Sequence, residues 1–187
     1  MTARQQLGAI GGIVAVLAAA FVAVDRLFPR DIAPVVVGAR APDFRAEPLD
    51  TAARVRALAG HRGQVVVLNI WATWCDPCRA EMPSLETLYR AYRGRGLRVV
   101  AVSIDDAGHD DDIRAFVRQY GLTFEVLHDG SGGIEQAYQT TGVPETFVIA
   151  RDGVIRKKVA GAEDWSSPGN EALIAQLLAE PGGRGTN

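Results

Sequence analysis

The sequence predicts an α/β fold with a central mixed β-sheet flanked by helices, preceded by one N-terminal transmembrane helix. Three observations carry the prediction. Two apolar, β-branched runs, 65–70 and 97–104, each lead into a stretch with helical periodicity. Two short strand-like segments joined by Arg151-Asp152-Gly153 stand before a last amphipathic stretch, and residues 7–24 hold no charge at all. Alternation of strands and helices builds a sheet covered on both faces, and the hairpin makes that sheet mixed.

The N-terminal run begins after Arg4 and is ended by Asp25 and Arg26. As a helix it would rise about 27 Å, close to the roughly 30 Å of a bilayer's hydrocarbon. It exceeds the usual apolar core of a signal peptide. Such a run has no polar face to turn to water, which argues against a buried helix of the folded domain. Residues 1–6 are therefore read as a cytoplasmic N-terminus, 7–24 as a transmembrane anchor and 25–37 as a linker. Residues 38–180 form the domain and 181–187 a flexible tail. Ala18, Ala19 and Ala20 offer a cleavage site inside the run, so a cleaved signal is the alternative to the preferred anchor. No cysteine follows the run, which excludes lipidation there.

Within the domain, Ala41-Pro42-Asp43-Phe44 opens an extended stretch, and residues 53–59 read as a helical turn ahead of Gly60. The run 65–70 is β-branched and almost wholly apolar, as a central strand covered on both faces requires. A helix from about Asp76 to Arg93 follows, with Met82, Leu85, Leu88 and Tyr92 at helical spacing. Pro83 is expected to kink it, and Gly94 and Gly96 close it. After the strand 97–104, Asp110, Asp111 and Asp112 load a helix start that runs to Tyr120. There they suit the helix dipole better than they suit a metal. A short strand at 124–127, a turn at 130–133 and a short helix to Tyr138 complete the middle. The hairpin 145–159 and a helix over 167–179 end the domain.

With 187 residues and 48% hydrophobic content, the chain can bury one substantial core. Its net charge is −2 and it has no long basic run, so nucleic-acid binding is not expected. Its 2 cysteines are too few for a disulfide framework or a four-ligand zinc site, and the 3 histidines are scattered. No metal and no cofactor is expected.

The two cysteines stand as Cys75-Asp76-Pro77-Cys78 at the predicted start of a helix. Unsatisfied N–H groups and the dipole favour a thiolate on Cys75, and Cys78 lies one turn inward. That pattern suits thiol–disulfide exchange, in which Cys75 forms a mixed disulfide and Cys78 resolves it. Pro77 fits the first helical turn without costing a hydrogen bond. Trp74, beside the pair in a turn, reads as a surface residue framing the site. Trp71 is read evenly as a framing or a core aromatic.

The stretch from Trp71 to Pro83, together with residues 41–44 and 142–149, resembles the thioredoxin superfamily. It is most similar to its membrane-anchored, extracytoplasmic TlpA/ResA-type branch, which includes cytochrome c maturation reductases. The resemblance covers about 38–179 and implies a thioredoxin-like fold. It implies that Pro144 is a cis-proline facing the dithiol and that Val143 offers its backbone to a substrate strand. It makes Glu81 the carboxyl that moves or holds the resolving thiol's proton, against the alternative of a solvated helix carboxylate. Two departures stand out. Cytoplasmic-type thioredoxins carry a buried aspartate where this chain has Asn69, which can hydrogen-bond but cannot shuttle a proton. Residues 49–63 are irregular against the family pattern.

A dithiol domain delivered across a membrane suits an oxidising compartment, which places it on the extracytoplasmic side of a bacterial cell membrane. The resemblance further implies that its partners would be client thiols or disulfides, such as apocytochrome c or oxidase assembly factors, and a membrane electron-donor thiol protein. A copper-binding or non-catalytic interaction module and a thiol peroxidase are the competing readings.

Overall fold

The computed structural model of the 187-residue chain describes residues 34–49 and 56–181. The expected anchor at 7–24, the segments on either side of it up to residue 33, and the tail from 182 lie outside the described residues. Among the described residues, no helix is long and apolar enough to cross a membrane.

The described elements are β1 (Arg45–Pro48), β2 (Arg56–Ala57), β3 (Val65–Trp71), α1 (Asp76–Tyr92), β4 (Leu97–Ser103) and α2 (Asp110–Tyr120). They continue with β5 (Glu125–His128), α3 (Gly133–Tyr138), β6 (Glu145–Ile149), β7 (Ile155–Ala160) and α4 (Pro168–Ala179). The strands form one mixed seven-stranded sheet in the order β2-β1-β5-β4-β3-β6-β7. β3 pairs in parallel with β4, and β4 with β5, while β6 lies antiparallel to β3.

β3 is central and wholly buried, which is why its sequence, Asn69 apart, is apolar without alternation. Its residues still divide by parity. Val65, Val67 and Trp71 pack in one core with Met82, Leu85 and Leu88 of α1, Phe116 of α2 and Leu177 of α4. Val66, Leu68 and Ile70 join the opposite core, with Phe147 of β6 and Tyr138 of α3. Both parallel crossovers, β3-α1-β4 and β4-α2-β5, step in the same direction across the sheet. A common right hand then places α1 and α2 on the same face.

α1 runs as one helix through Pro83 rather than ending there. Gly96, at φ 102°, takes the left-handed turn after it, a conformation that costs a side chain but not glycine. The first turn of α2 holds all three aspartates, with Asp111 bonded to Arg114 and Asp110 to His128. One reading is corrected. Where a helical turn over 53–59 is expected, the described part forms strand β2, followed by a short 3-10 turn at Leu58–His61. Pairing with β1 holds Arg56 and Ala57 extended, and a 3.0 Å bond from the Ala59 amide to Asp43 ties down the 3-10 turn that follows. Local helix propensity yields to the sheet edge.

Candidate active site

β3 ends at Trp71, and the chain turns through Ala72, Thr73 and Trp74 before α1 begins. Thr73 is held on all its polar groups. Its amide and hydroxyl donate to the two oxygens of Asp105, at 3.0 and 2.6 Å. Its carbonyl accepts from Nε and Nη2 of Arg79, at 3.0 and 2.7 Å. Asp105, 3% exposed at the end of β4, is itself fixed by the Ser103 hydroxyl at 2.5 Å. A buried carboxylate from the neighbouring parallel strand thus pins the turn that delivers Cys75.

Cys75 is the N-cap of α1, and its Sγ accepts the backbone N–H of Cys78 at 3.1 Å. A sulfur in that place meets an otherwise unpaired amide and the positive end of the helix dipole. Pro77 sits in the first turn, where no partner for its missing N–H is needed. Cys75 and Cys78 form a disulfide with Cα atoms 5.2 Å apart. Both are buried in this state, Cys75 at 4% and Cys78 at 0% exposure. Trp74, by contrast, is 63% exposed beside the pair. Trp71 is a core aromatic, fully buried with its ring 4.5 Å from that of Phe116.

Because β6 runs antiparallel to β3, its start lies at the end of the sheet that bears the dithiol. The Val143–Pro144 peptide bond there is cis. The Val143 carbonyl oxygen lies 3.5 Å from Sγ of Cys75. Sequence positions 75, 78, 143 and 144 are therefore brought to one place, with Trp74 at its rim.

Glu81 lies one turn beyond Cys78 and is 2% exposed, not a solvated helix carboxylate. Asn69 shares the parity of Val67 and Trp71 and so faces α1. Its Nδ2 donates to Glu81 Oε1 at 2.7 Å and to Thr146 Oγ1 at 2.8 Å. Glu81 Oε2 accepts from Trp165 Nε1 at 3.3 Å and from the Glu163 amide at 3.4 Å. Burial pushes the Glu81 carboxyl up to about 7, against the pull of these donors. A carboxyl raised toward neutrality thus stands buried one turn from Cys78.

Sequence reasoning missed Asp105, Thr146 and Trp165. Asp105 carried one signal, an acidic residue at the carboxyl end of a buried parallel strand, where α/β sites gather. Trp165 carried none, since the loop that folds it against Glu81 has no pattern of its own.

Residues 37–158 match the AhpC/TSA family. The thiol-disulfide oxidoreductase ResA of Oceanobacillus iheyensis is 40% identical over 128 residues, which cover 67% of this chain and 66% of that protein. The ResA protein of Geobacillus thermodenitrificans is 35% identical over 68% of this chain and 71% of its own length. A crystal structure from Chlorobium tepidum, described as a thiol:disulfide interchange protein DsbE, is 30% identical with a TM-score of 0.64. The likeness covers 76% of this chain and 95% of that one. With the buried Cys75–Cys78 disulfide at a helix start, these likenesses place the chain in the AhpC/TSA family and, within the thioredoxin superfamily, among the ResA/DsbE-like thiol–disulfide oxidoreductases.

Proposed function

We propose that this protein is an extracytoplasmic reductase of client disulfides, working through Cys75 as attacking thiol, Cys78 as resolving thiol and Glu81 as proton acceptor. The observation that carries the reading is the buried carboxyl of Glu81 one turn from Cys78, poised by burial to change protonation near neutral pH. In the reduced enzyme the Cys75 thiolate attacks a client disulfide, forming a mixed disulfide and releasing one client thiolate. Cys78 gives its proton to Glu81. The resulting thiolate attacks Sγ of Cys75, which releases the second client thiolate and leaves the Cys75–Cys78 disulfide, the state seen here.

A client strand docks against the Val143 backbone beside Pro144, and Trp74 supplies apolar contact area at the rim. Apocytochrome c heme-site cysteines or an oxidase assembly factor fit as clients, and a membrane thiol protein returns the electrons. The apolar run 7–24 anchors the domain to a bacterial cell membrane on its extracytoplasmic side, a compartment in which a dithiol finds disulfides to reduce. Redox equilibration with glutathione tests the direction. A potential toward the thioredoxin value of about −270 mV is expected, and one near or above about −150 mV contradicts a reductase.

A further inference from the structure

The pocket of Glu81 is lined by donors. Asn69 Nδ2, Trp165 Nε1 and the Glu163 amide all point hydrogens at its two oxygens. This suits a carboxylate, but a carboxyl that accepts the proton of Cys78 acquires an O–H that needs an acceptor of its own. Asn69 holds a feature that meets this need. Both hydrogens of its Nδ2 are spent, on Glu81 and on Thr146, while its buried Oδ1 has no partner among the described residues. Half a turn about the last side-chain bond exchanges the two ends of the amide. Oδ1 then faces Glu81 Oε1, where it accepts the acid's O–H, and Thr146 Oγ1, whose hydroxyl changes from acceptor to donor. One amide end is without a partner in either orientation, so neither is favoured by the count of bonds.

We propose that Asn69 is a positioning residue that reverses its amide as Glu81 takes up and releases a proton, donating to the carboxylate and accepting from the acid. The proposal rests on Glu81 being the proton acceptor of the resolving step. It explains how a residue unable to carry a proton serves a neighbour that does. The other charged or titratable groups around Glu81 are few. Glu163 adds a like charge that opposes ionisation and is itself held by Lys157 at 3.2 Å. Asp164 lines the same surface cleft as Glu81, and Cys78 precedes it on α1.

Nuclear magnetic resonance of the oxidised full-length protein tests this without a client. The Glu81 side-chain carboxyl carbon reports its titration. Cross-peaks between the Asn69 side-chain amide protons and the Thr146 methyl report the amide's orientation. Those cross-peaks are expected to be strong above the Glu81 midpoint and to weaken at least threefold below it, with the same midpoint. Cross-peaks that stay constant while Glu81 titrates overturn the proposal, as does a Glu81 that keeps its charge down to pH 5. In Asn69→Leu the Glu81 midpoint is expected to rise by about one unit, a tenfold gain in proton affinity, because the carboxylate loses the stronger bond. An unchanged midpoint there also counts against it. Should the amide reverse as expected while Glu81→Gln turns over client at the wild-type rate, the reductase mechanism fails and the amide switch stands.

Discussion

Sγ of Cys75 lies 3.5 Å from the carbonyl oxygen of Val143, a residue 68 positions away. The contact follows from the sheet. β6 runs antiparallel to β3 with Glu145 opposite Ile70, so the start of one strand and the end of the other share an edge. From there α1 carries Cys78 and Glu81 inward over the same face that Asn69 presents. The site is thus divided between a rim, where Cys75, Trp74 and Val143 gather, and a buried side, where Cys78 and Glu81 stand one turn apart on α1.

The division predicts different fates for the two cysteines. Cys75→Ser should abolish reduction of insulin disulfides, while Cys78→Ser should stall on Cys75 and accumulate client adducts. Non-reducing electrophoresis and mass spectrometry separate these outcomes. Adducts on Cys78 in a Cys75→Ser protein, at equal yield, contradict the assignment.

Glu81 must be ionised to take the proton of Cys78, so the resolving rate should rise with pH through about 7. Glu81→Gln should lower that rate by roughly 10²-fold, within the range general-base groups supply, and flatten the profile. Stopped-flow tryptophan fluorescence of the single-turnover reaction checks both.

The same carboxyl makes stability depend on pH. Its folded value of about 7 lies above the ordinary 4.5, so between these limits the native state binds more protons than the unfolded one. Stability from this group is complete below about 4.5 and falls as pH rises to about 7, by on the order of 3 kcal/mol. Urea midpoints at pH 4.5 and 8 should show that decline in the wild type and lose it in Glu81→Gln.

Asp105→Ala removes the acceptor of three hydrogen bonds, from Thr73 N, Thr73 Oγ1 and Ser103 Oγ. Buried donors left without partners cost about 1–3 kcal/mol each. A stability loss of about 2–4 kcal/mol in urea unfolding is expected, with Thr73→Ala costing about 1 kcal/mol.

Trp74→Ala removes an exposed ring and should change stability by no more than about 0.5 kcal/mol. Its effect should fall on client binding, as a raised KM with kcat nearly unchanged. An equal fall in kcat would move Trp74 from docking to chemistry.

Much of this was legible in the chain. The β-branched run at 65–70 and the helical spacing of Met82, Leu85 and Leu88 fixed the central strand and α1, because burial on both faces leaves no room for polar alternation. Cys75, Pro77 and Cys78 declared a helix start, and Gly142-Val143-Pro144 pointed to the opposing strand through resemblance. Less visible was what depends on contacts between distant segments. The short β2 forms because β1 offers it an edge. Asp105 reads as a loop acid until the sheet sets it beside Thr73, and Trp165 meets Glu81 only after the chain has passed the hairpin. The burial of Glu81 belongs to the same class, since no local pattern tells a core carboxyl from one facing water.

The proposed mechanism turns on an activated sulfur at the start of α1, for which rapid alkylation of the reduced protein at pH 7 is the decisive test. With iodoacetamide, peptide mass analysis should find a single early adduct on Cys75, formed faster than on free cysteine, and Cys78 untouched. Modification of Cys78 first, or of Cys75 more slowly than the free amino acid, would rule out Cys75 as the attacking thiol.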